Sequence, residues 1–169
     1  MQITSINPCS MIVSVNKQNL THDMIVKSGK FNVSILSQQA PFSVFEHFGF
    51  LSGHKIDKFA EFTDVARAEN GLLYLTKYAN SYISAKVTGN LDCDTHTIFY
   101  AEITGADNLS DEESITYDYY YKHTKPKVKS ATGKYVCKIC GYVYEGEELP
   151  ADYICPLCKH GASDFAKMS

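Results

Sequence analysis

Between residues 1 and 121 the apolar positions come in short runs, most with the period of a strand and two with that of a helix. Met11-Ile-Val-Ser-Val15 is an apolar run of strand length, closed by polar Asn16-Lys-Gln-Asn19. Leu20, Met24, Ile25 and Val26 then share the face of a helix that Asn19 or Thr21 caps and Gly29 stops. Phe31-Asn-Val-Ser-Ile-Leu36 alternates, as a strand with one buried face does. Pro41 opens a second short helix through Phe48, with Phe42, Phe45 and Phe48 three apart. Past a loop holding Gly49 and Gly53, β-branched and aromatic residues mark strands over 72–75, 82–88 and 97–104, with Gly89-Asn90 and Gly105 between them. Strands interrupted by two short helices predict a mainly β domain, a barrel or curled sheet, over residues 1–121.

The pattern changes after that. Asp107 to Glu113 is acidic and reads as a loop or a helix start with a solvated face, and Tyr117, Tyr119, Tyr120 and Tyr121 read as a packing cluster. Residues 122–133 contain a proline, a glycine, four lysines and one large aliphatic side chain. Such a stretch cannot bury a core, so it reads as a linker, with a basic patch for a partner as the sharper alternative. Residues 134–169 form a second module too small to fold on apolar burial alone.

Composition narrows the class. At 44% hydrophobic and 21% charged the chain has the profile of a soluble globular protein, and a net charge of −3 gives no general case for nucleic acid. Its apolar runs are too short to span a bilayer, and the N-terminus lacks the pattern of a signal peptide. Of six cysteines, Cys9 and Cys93 stand apart from any motif and read as free thiols, as expected of a cytoplasmic protein.

The other four carry the chemistry. Tyr135-Val-Cys137-Lys-Ile-Cys140-Gly141-Tyr142 is answered by Tyr153-Ile-Cys155-Pro156-Leu-Cys158. A two-residue spacer lets both thiolates of a turn reach one centre, and two such turns make a tetrahedral four-sulfur site for iron or zinc. Cys137, Cys140, Cys155 and Cys158 are the expected ligands, and spacing alone leaves the metal open. Cys137-Lys-Ile-Cys140-Gly-Tyr-Val-Tyr144, Cys155-Pro-Leu-Cys158 and Asp164-Phe165 closely resemble rubredoxin, which implies one iron in four thiolates and single-electron transfer. Gly141 permits the positive φ that turns N–H groups toward sulfur, and Tyr135, Tyr142, Tyr144, Tyr153 and Phe165 offer an aromatic core. Three departures stand out. The connection between the pairs is shorter than in free-standing rubredoxins, Tyr153 replaces the usual tryptophan, and Lys159 replaces a second glycine, so that either Gly161 takes over that turn or the second loop is strained.

Upstream, four blocks occur in the order found in flavin reductase-like split barrels. They are Ser14-Val-Asn-Lys-Gln-Asn-Leu-Thr-His22, the stretch from Phe48 to Phe59, Asp94-Thr-His96 with Phe99, and Thr116-Tyr-Asp-Tyr-Tyr120. With the unit that follows, they closely resemble the high-molecular-weight rubredoxins. The resemblance implies a mainly β fold with short helices: a split β-barrel at 1–121, a linker at 122–133 and a rubredoxin-like domain at 134–169. It also implies FMN, with Asn16, Lys17, Asn19 and Thr21 as candidate contacts, Thr4 and Ser5 as further ones, and His96 near a nicotinamide. Lys17 and the Thr21 hydroxyl suit phosphate or ring oxygens; a solvated loop with a helix cap is the plainer reading of this stretch, and surface charge that of Lys58. Family members begin further upstream, so Met1-Gln-Ile-Thr-Ser5 reads as starting inside the second strand. The barrel is therefore expected to be N-terminally incomplete, which puts FMN retention in question.

No Gly-x-Gly-x-x-Gly follows a strand, so no Rossmann domain is expected. The resemblance implies an electron carrier, in its enzymatic form an FMN-dependent NAD(P)H:rubredoxin-type oxidoreductase. NAD(P)H or a reductase would donate through FMN to the iron, and a flavodiiron protein or similar acceptor would receive. A cytoplasmic homodimer without nucleic acid or membrane partners is the expected setting. Two other classes stay open: a rubredoxin carrier whose barrel binds no flavin, and a zinc-binding interaction module.

Overall fold

The computed structural model describes residues 1–60, 62–125, 135–139, 141–155 and 160–168, and divides the chain into two units. The first is Met1–Pro41 with Ser52–Tyr119; the second is Phe42–Leu51 with Tyr120–Ser169.

In the first unit β1 (Gln2–Ile6) and β2 (Cys9–Asn16) form a hairpin around a cis Asn7–Pro8 bond. Helix α1 (Leu20–Ser28) leads to β3 (Lys30–Leu36). Later come the small hairpin of β4 (Val65–Arg67) with β5 (Leu73–Leu75), and the long one of β6 (Ala79–Cys93) with β7 (His96–Asn108). An antiparallel sheet runs in the order β1-β2-β7-β6-β3. Alternation explains its core: Met11, Val13 and Val15 of β2, Phe31 and Val33 of β3, Ile83, Ala85 and Val87 of β6, and Phe99, Ala101 and Ile103 of β7 gather on one face. Ile25 of α1 closes that face. Met11 is 0% exposed and Phe99 2%, and each buried side chain of this size stabilises by about 1.5–3 kcal/mol. On the other face Tyr74 of β5 stacks on Tyr82 of β6 at 3.9 Å.

Several sequence expectations change here. Only Ile25 of the proposed helix face is fully buried; Met24 is 58% and Val26 62% exposed, because a nine-residue helix lies on the sheet along a narrow stripe. Leu20 is half-buried and packs so closely on Gly53 that a Cβ there would lie 3.2 Å from it. Asn19 is the N-cap by backbone but makes no side-chain cap bond, and Thr21 lies inside the helix. Gly29 ends α1 as expected, at φ 66° with its N–H on the Ile25 carbonyl. Gly89-Asn90 and Gly105 do not separate strands. They sit within β6 and β7, Gly89 at a register shift, while the chain turns at Asp94-Thr95. Glycine marks a bulge as readily as a turn, and local sequence does not distinguish the two. The Met1–Ser5 stretch supplies the edge strand β1, paired to β2.

In the second unit α2 (Phe42–Phe45) continues as a wider π-type turn over Glu46–Phe50, two residues past the expected end. The tyrosine cluster likewise forms a short helix α3 (Tyr117–Tyr119, the last residues of the first unit) and a π-type turn over Tyr120–Thr124. Phe45 meets Tyr120 at 4.8 Å between ring centres. The rest of this unit is a small sheet of β8 (Tyr135–Cys137), β9 (Val143–Tyr144) and β10 (Phe165–Lys167), in the order β10-β8-β9. Among the described residues no helix is long and apolar enough to cross a membrane.

Candidate functional site

Strand β8 carries Cys137 into the interior of the second unit. The Cys137 N–H donates to the Tyr142 carbonyl at 2.8 Å, and the Gly141 N–H returns to the Cys137 carbonyl at 2.8 Å. That turn needs a left-handed residue, and Gly141 provides it at φ 81°. The Lys138 N–H donates to the Asp164 carbonyl at 2.7 Å, tying the turn to the residue before β10. The second half is built alike: the Cys155 N–H donates to the His160 carbonyl at 2.8 Å, and Ile154 bridges to Gly161. Gly161 is extended, at φ −78°, so it does not take over the turn proposed for it. Lys159 lies outside the described residues, as do Cys140 and Cys158.

Cys137 and Cys155 are 1% and 0% exposed and share one core with Phe165. Around them pack Tyr135, Tyr142, Tyr144, Tyr153 and Leu149, and also Phe50 from the π-type turn of the same unit. Tyr153 lies 4.5 Å from Tyr144 and 5.4 Å from Phe165 between ring centres, so it fills the middle of this core. Its hydroxyl donates to that of Tyr142 at 3.4 Å, and burial, with that bond, raises its pKa. The first cysteine of each pair is thus delivered to one buried place through a backbone-bonded turn. Two buried thiols in an aromatic shell are half of the donor set that a tetrathiolate metal requires; Cys140 and Cys158, which the sequence predicts as the other half, lie outside the described residues. Cys9 and Cys93 belong to the first unit, Cys9 exposed and Cys93 half-exposed.

The candidate flavin contacts separate into two groups. Asn16 ends β2 opposite His96 of β7, and the Lys17 N–H donates to the Thr95 carbonyl at 3.0 Å. The Asn16 side chain accepts from the Gln18 N–H, Asn19 heads α1, and Thr21 is exposed in its first turn. His96 pairs its Nδ1 with the Thr95 hydroxyl at 2.9 Å. Asn16, Lys17, Asn19, Thr21 and His96 therefore gather where β2 enters α1, beside the β6–β7 turn. Thr4 and Ser5 lie elsewhere: the Thr4 hydroxyl meets that of Ser10 at 3.2 Å, and Ser10 meets Tyr100 at 2.8 Å. Six residues of strand, about 20 Å, separate Ser10 from Asn16. Lys58, read as surface charge, is half-buried, and burial lowers its pKa.

Two participants at the β2–α1 corner were not legible beforehand. Lys17 donates through Nζ to Asp92 Oδ2 at 2.6 Å, and this bond holds the Asp92 carboxyl below the usual carboxylate range. His22 Nε2 pairs with the Thr97 hydroxyl at 3.0 Å, its ring against Phe99. Both partners stand 75 residues away in sequence, on strands that only the sheet brings alongside. Chemically the corner offers an ammonium and the N-terminus of a nine-residue helix whose N-cap side chain is not engaged as a cap. Both favour an anion.

Residues 1–128 match the family described as "Flavin reductase like domain", and residues 135–166 match "Rubrerythrin, rubredoxin-like domain". The chain is similar to a high molecular weight rubredoxin of Moorella thermoacetica, 35% identical over 198 residues, covering 99% of this chain and 86% of that protein. Its C-terminal part is similar to a rubredoxin of Megasphaera elsdenii, 41% identical over 49 residues, covering 21% of this chain and 94% of that protein. Among solved structures, an NADH:FAD oxidoreductase of Streptomyces globisporus superimposes with a TM-score of 0.58 at 21% identity, covering 67% of this chain and 66% of that one.

Proposed function

The chain belongs to the high molecular weight rubredoxin family, a flavin reductase-like domain followed by a rubredoxin-like one, and from that premise we propose that it passes electrons from NAD(P)H or a reductase through FMN to a single iron in four thiolates. Flavin-linked electron transfer is the chemistry its two domains share. Bound flavin accepts two electrons as hydride and releases them singly, and the iron carries one at a time.

The observation that carries the reading is the burial of Cys137 and Cys155 in one aromatic core, each at the head of a backbone-bonded turn. In the barrel, the β2–α1 corner is the place for the flavin phosphate: Lys17 supplies charge, and Thr21 and the first N–H groups of α1 supply donors. His96, opposite Asn16 on the same corner, borders the space for a nicotinamide. Cys140 and Cys158 complete the metal's ligands. The acceptor is a flavodiiron protein or another oxygen, peroxide or nitric oxide reductase, the working form is a homodimer, and the compartment is the cytoplasm.

Absorption spectra of the purified chain, with iron, zinc and flavin measured per chain, followed by anaerobic mixing with NAD(P)H, test this. Expected are an iron–thiolate band, near-equal flavin and iron, and flavin bleaching before the iron band. Zinc in place of iron would favour the interaction module. Iron without flavin would leave a rubredoxin carrier, a reading that the existing bond between Lys17 and Asp92 supports.

A further inference from the structure

We propose that the metal module includes a segment of chain that lies far upstream in sequence: Phe42–Leu51 is part of it, and Phe50 is a positioning residue of the thiolate site. The inference rests on the iron reading above.

The C-terminal module is small even for its kind. Its alignment with the Megasphaera elsdenii rubredoxin covers 49 positions but draws on 21% of 169 residues, about 35, so about 14 positions there have no counterpart here. This agrees with the short connection between the cysteine pairs. A unit of this size already depends on its metal and its few aromatic side chains for a core, and lost positions leave a wall unfilled.

Phe50 adds an aromatic ring to this core. It packs against the core of Cys137, Cys155 and Phe165, although 86 residues separate it from the nearer cysteine. Its segment makes further aromatic contacts within the same unit: Phe42 meets Phe50 at 6.0 Å, and Phe45 meets Tyr120 at 4.8 Å between ring centres. The π-type turn over Glu46–Phe50 places Phe50 two residues beyond the predicted end of the helix. The whole of Phe42–Leu51 accordingly groups with Tyr120–Ser169 and not with the barrel residues on either side of it. An apolar ring packed on the core that contains Cys137 and Cys155 keeps water from that core, and solvent access is one of the determinants of a metal–thiolate centre's lability and potential.

The test uses the full chain loaded with iron. In Phe50→Ala, iron should pass to a chelator about tenfold faster than in wild type, the scale expected for residues supporting metal ligands. The reduction potential should rise, because the reduced centre carries one more negative charge and water stabilises it. Phe50→Leu should restore both, and Leu91→Ala, an exposed site in the first unit, should change neither. A second measurement needs no variant. Removing iron from wild type should speed chymotryptic cleavage within 42–51, read by mass spectrometry, while cleavage at Phe31 and Phe99 stays slow. Phe50→Ala behaving as wild type in both respects, or cleavage within 42–51 indifferent to iron, overturns the inference alone. A wild-type chain that takes up no iron overturns the metal reading and this inference with it.

Discussion

Lys17 is the residue at which the flavin reading is most exposed to test, because its ammonium already has a partner. A phosphate at the β2–α1 corner competes with the Asp92 carboxylate for it. One charge-assisted hydrogen bond contributes about 1.5–3 kcal/mol, so Lys17→Met should weaken FMN binding by about 10- to 100-fold. Asp92→Asn should strengthen it, since the ammonium is released; a fluorescence titration of apoprotein with FMN reads both. If Lys17→Met binds FMN as wild type does, the phosphate sits elsewhere. The pH dependence has a fixed sign. Asp92 has a depressed pKa when folded, so the pair is fully formed above its ordinary value of 3.8 and is lost as pH falls through the lower folded value. Its carboxylate is largely exposed, so the effect on stability is small. The cysteines differ in the same plain way. Serine at Cys137, Cys140, Cys155 or Cys158 should abolish the iron–thiolate band, whereas Cys9→Ser and Cys93→Ser should leave it intact, because those two lie in the first unit.

Among the elements, two glycines separate backbone strain from steric overlap. Gly29 holds the left-handed end of α1 with open space around it, so Gly29→Ala should cost about 1 kcal/mol through φ alone and lower the barrel's melting temperature by a few degrees. Gly146 is the opposite case: its φ is unremarkable, but a Cβ there would lie 2.5 Å from the ring of Tyr144. That ring packs on Tyr153 in the metal core and cannot turn away freely. Gly146→Ala should therefore destabilise the second unit by about 1–3 kcal/mol, the usual range for overpacking, and hasten iron loss. The barrel transition should not move, and calorimetry of the iron-loaded chain distinguishes the two substitutions by which transition shifts.

At the scale of the molecule, the two cores have no residue in common. One depends on apolar burial across a five-stranded sheet, the other on a few aromatic rings and, by the reading above, on a metal. Heating the iron-loaded chain should give two transitions, and chelating the iron should lower one while leaving the other in place. A single transition that chelation shifts as a whole would mean that the cores unfold together.

Sequence alone determined that β2, β3, β6 and β7 are strands and that β3 alternates, since both depend on neighbours within a few residues. Alternation from Phe31 to Leu36 puts Phe31 and Val33 on the inward face of β3, and Gly141, next to the first cysteine pair, takes the positive φ expected of it, a requirement that is local. It also marked the end of α1, where Gly29 alone satisfies the φ required. Tertiary structure decided which glycines are bulges, because Gly89 and Gly105 become strand residues only through pairing across the β6–β7 hairpin. It decided the partners of Lys17 and His22, which come from strands 75 residues away. It drew Thr4 and Ser5 apart from Asn16 to Thr21, since the pairing of β1 sets them at the far end of β2. And it assigned Phe50 to the core that holds Cys137 and Cys155: Phe50 lies past Phe42, Phe45 and Phe48, whose spacing predicts a helix, and which core takes it is settled only by where the chain returns.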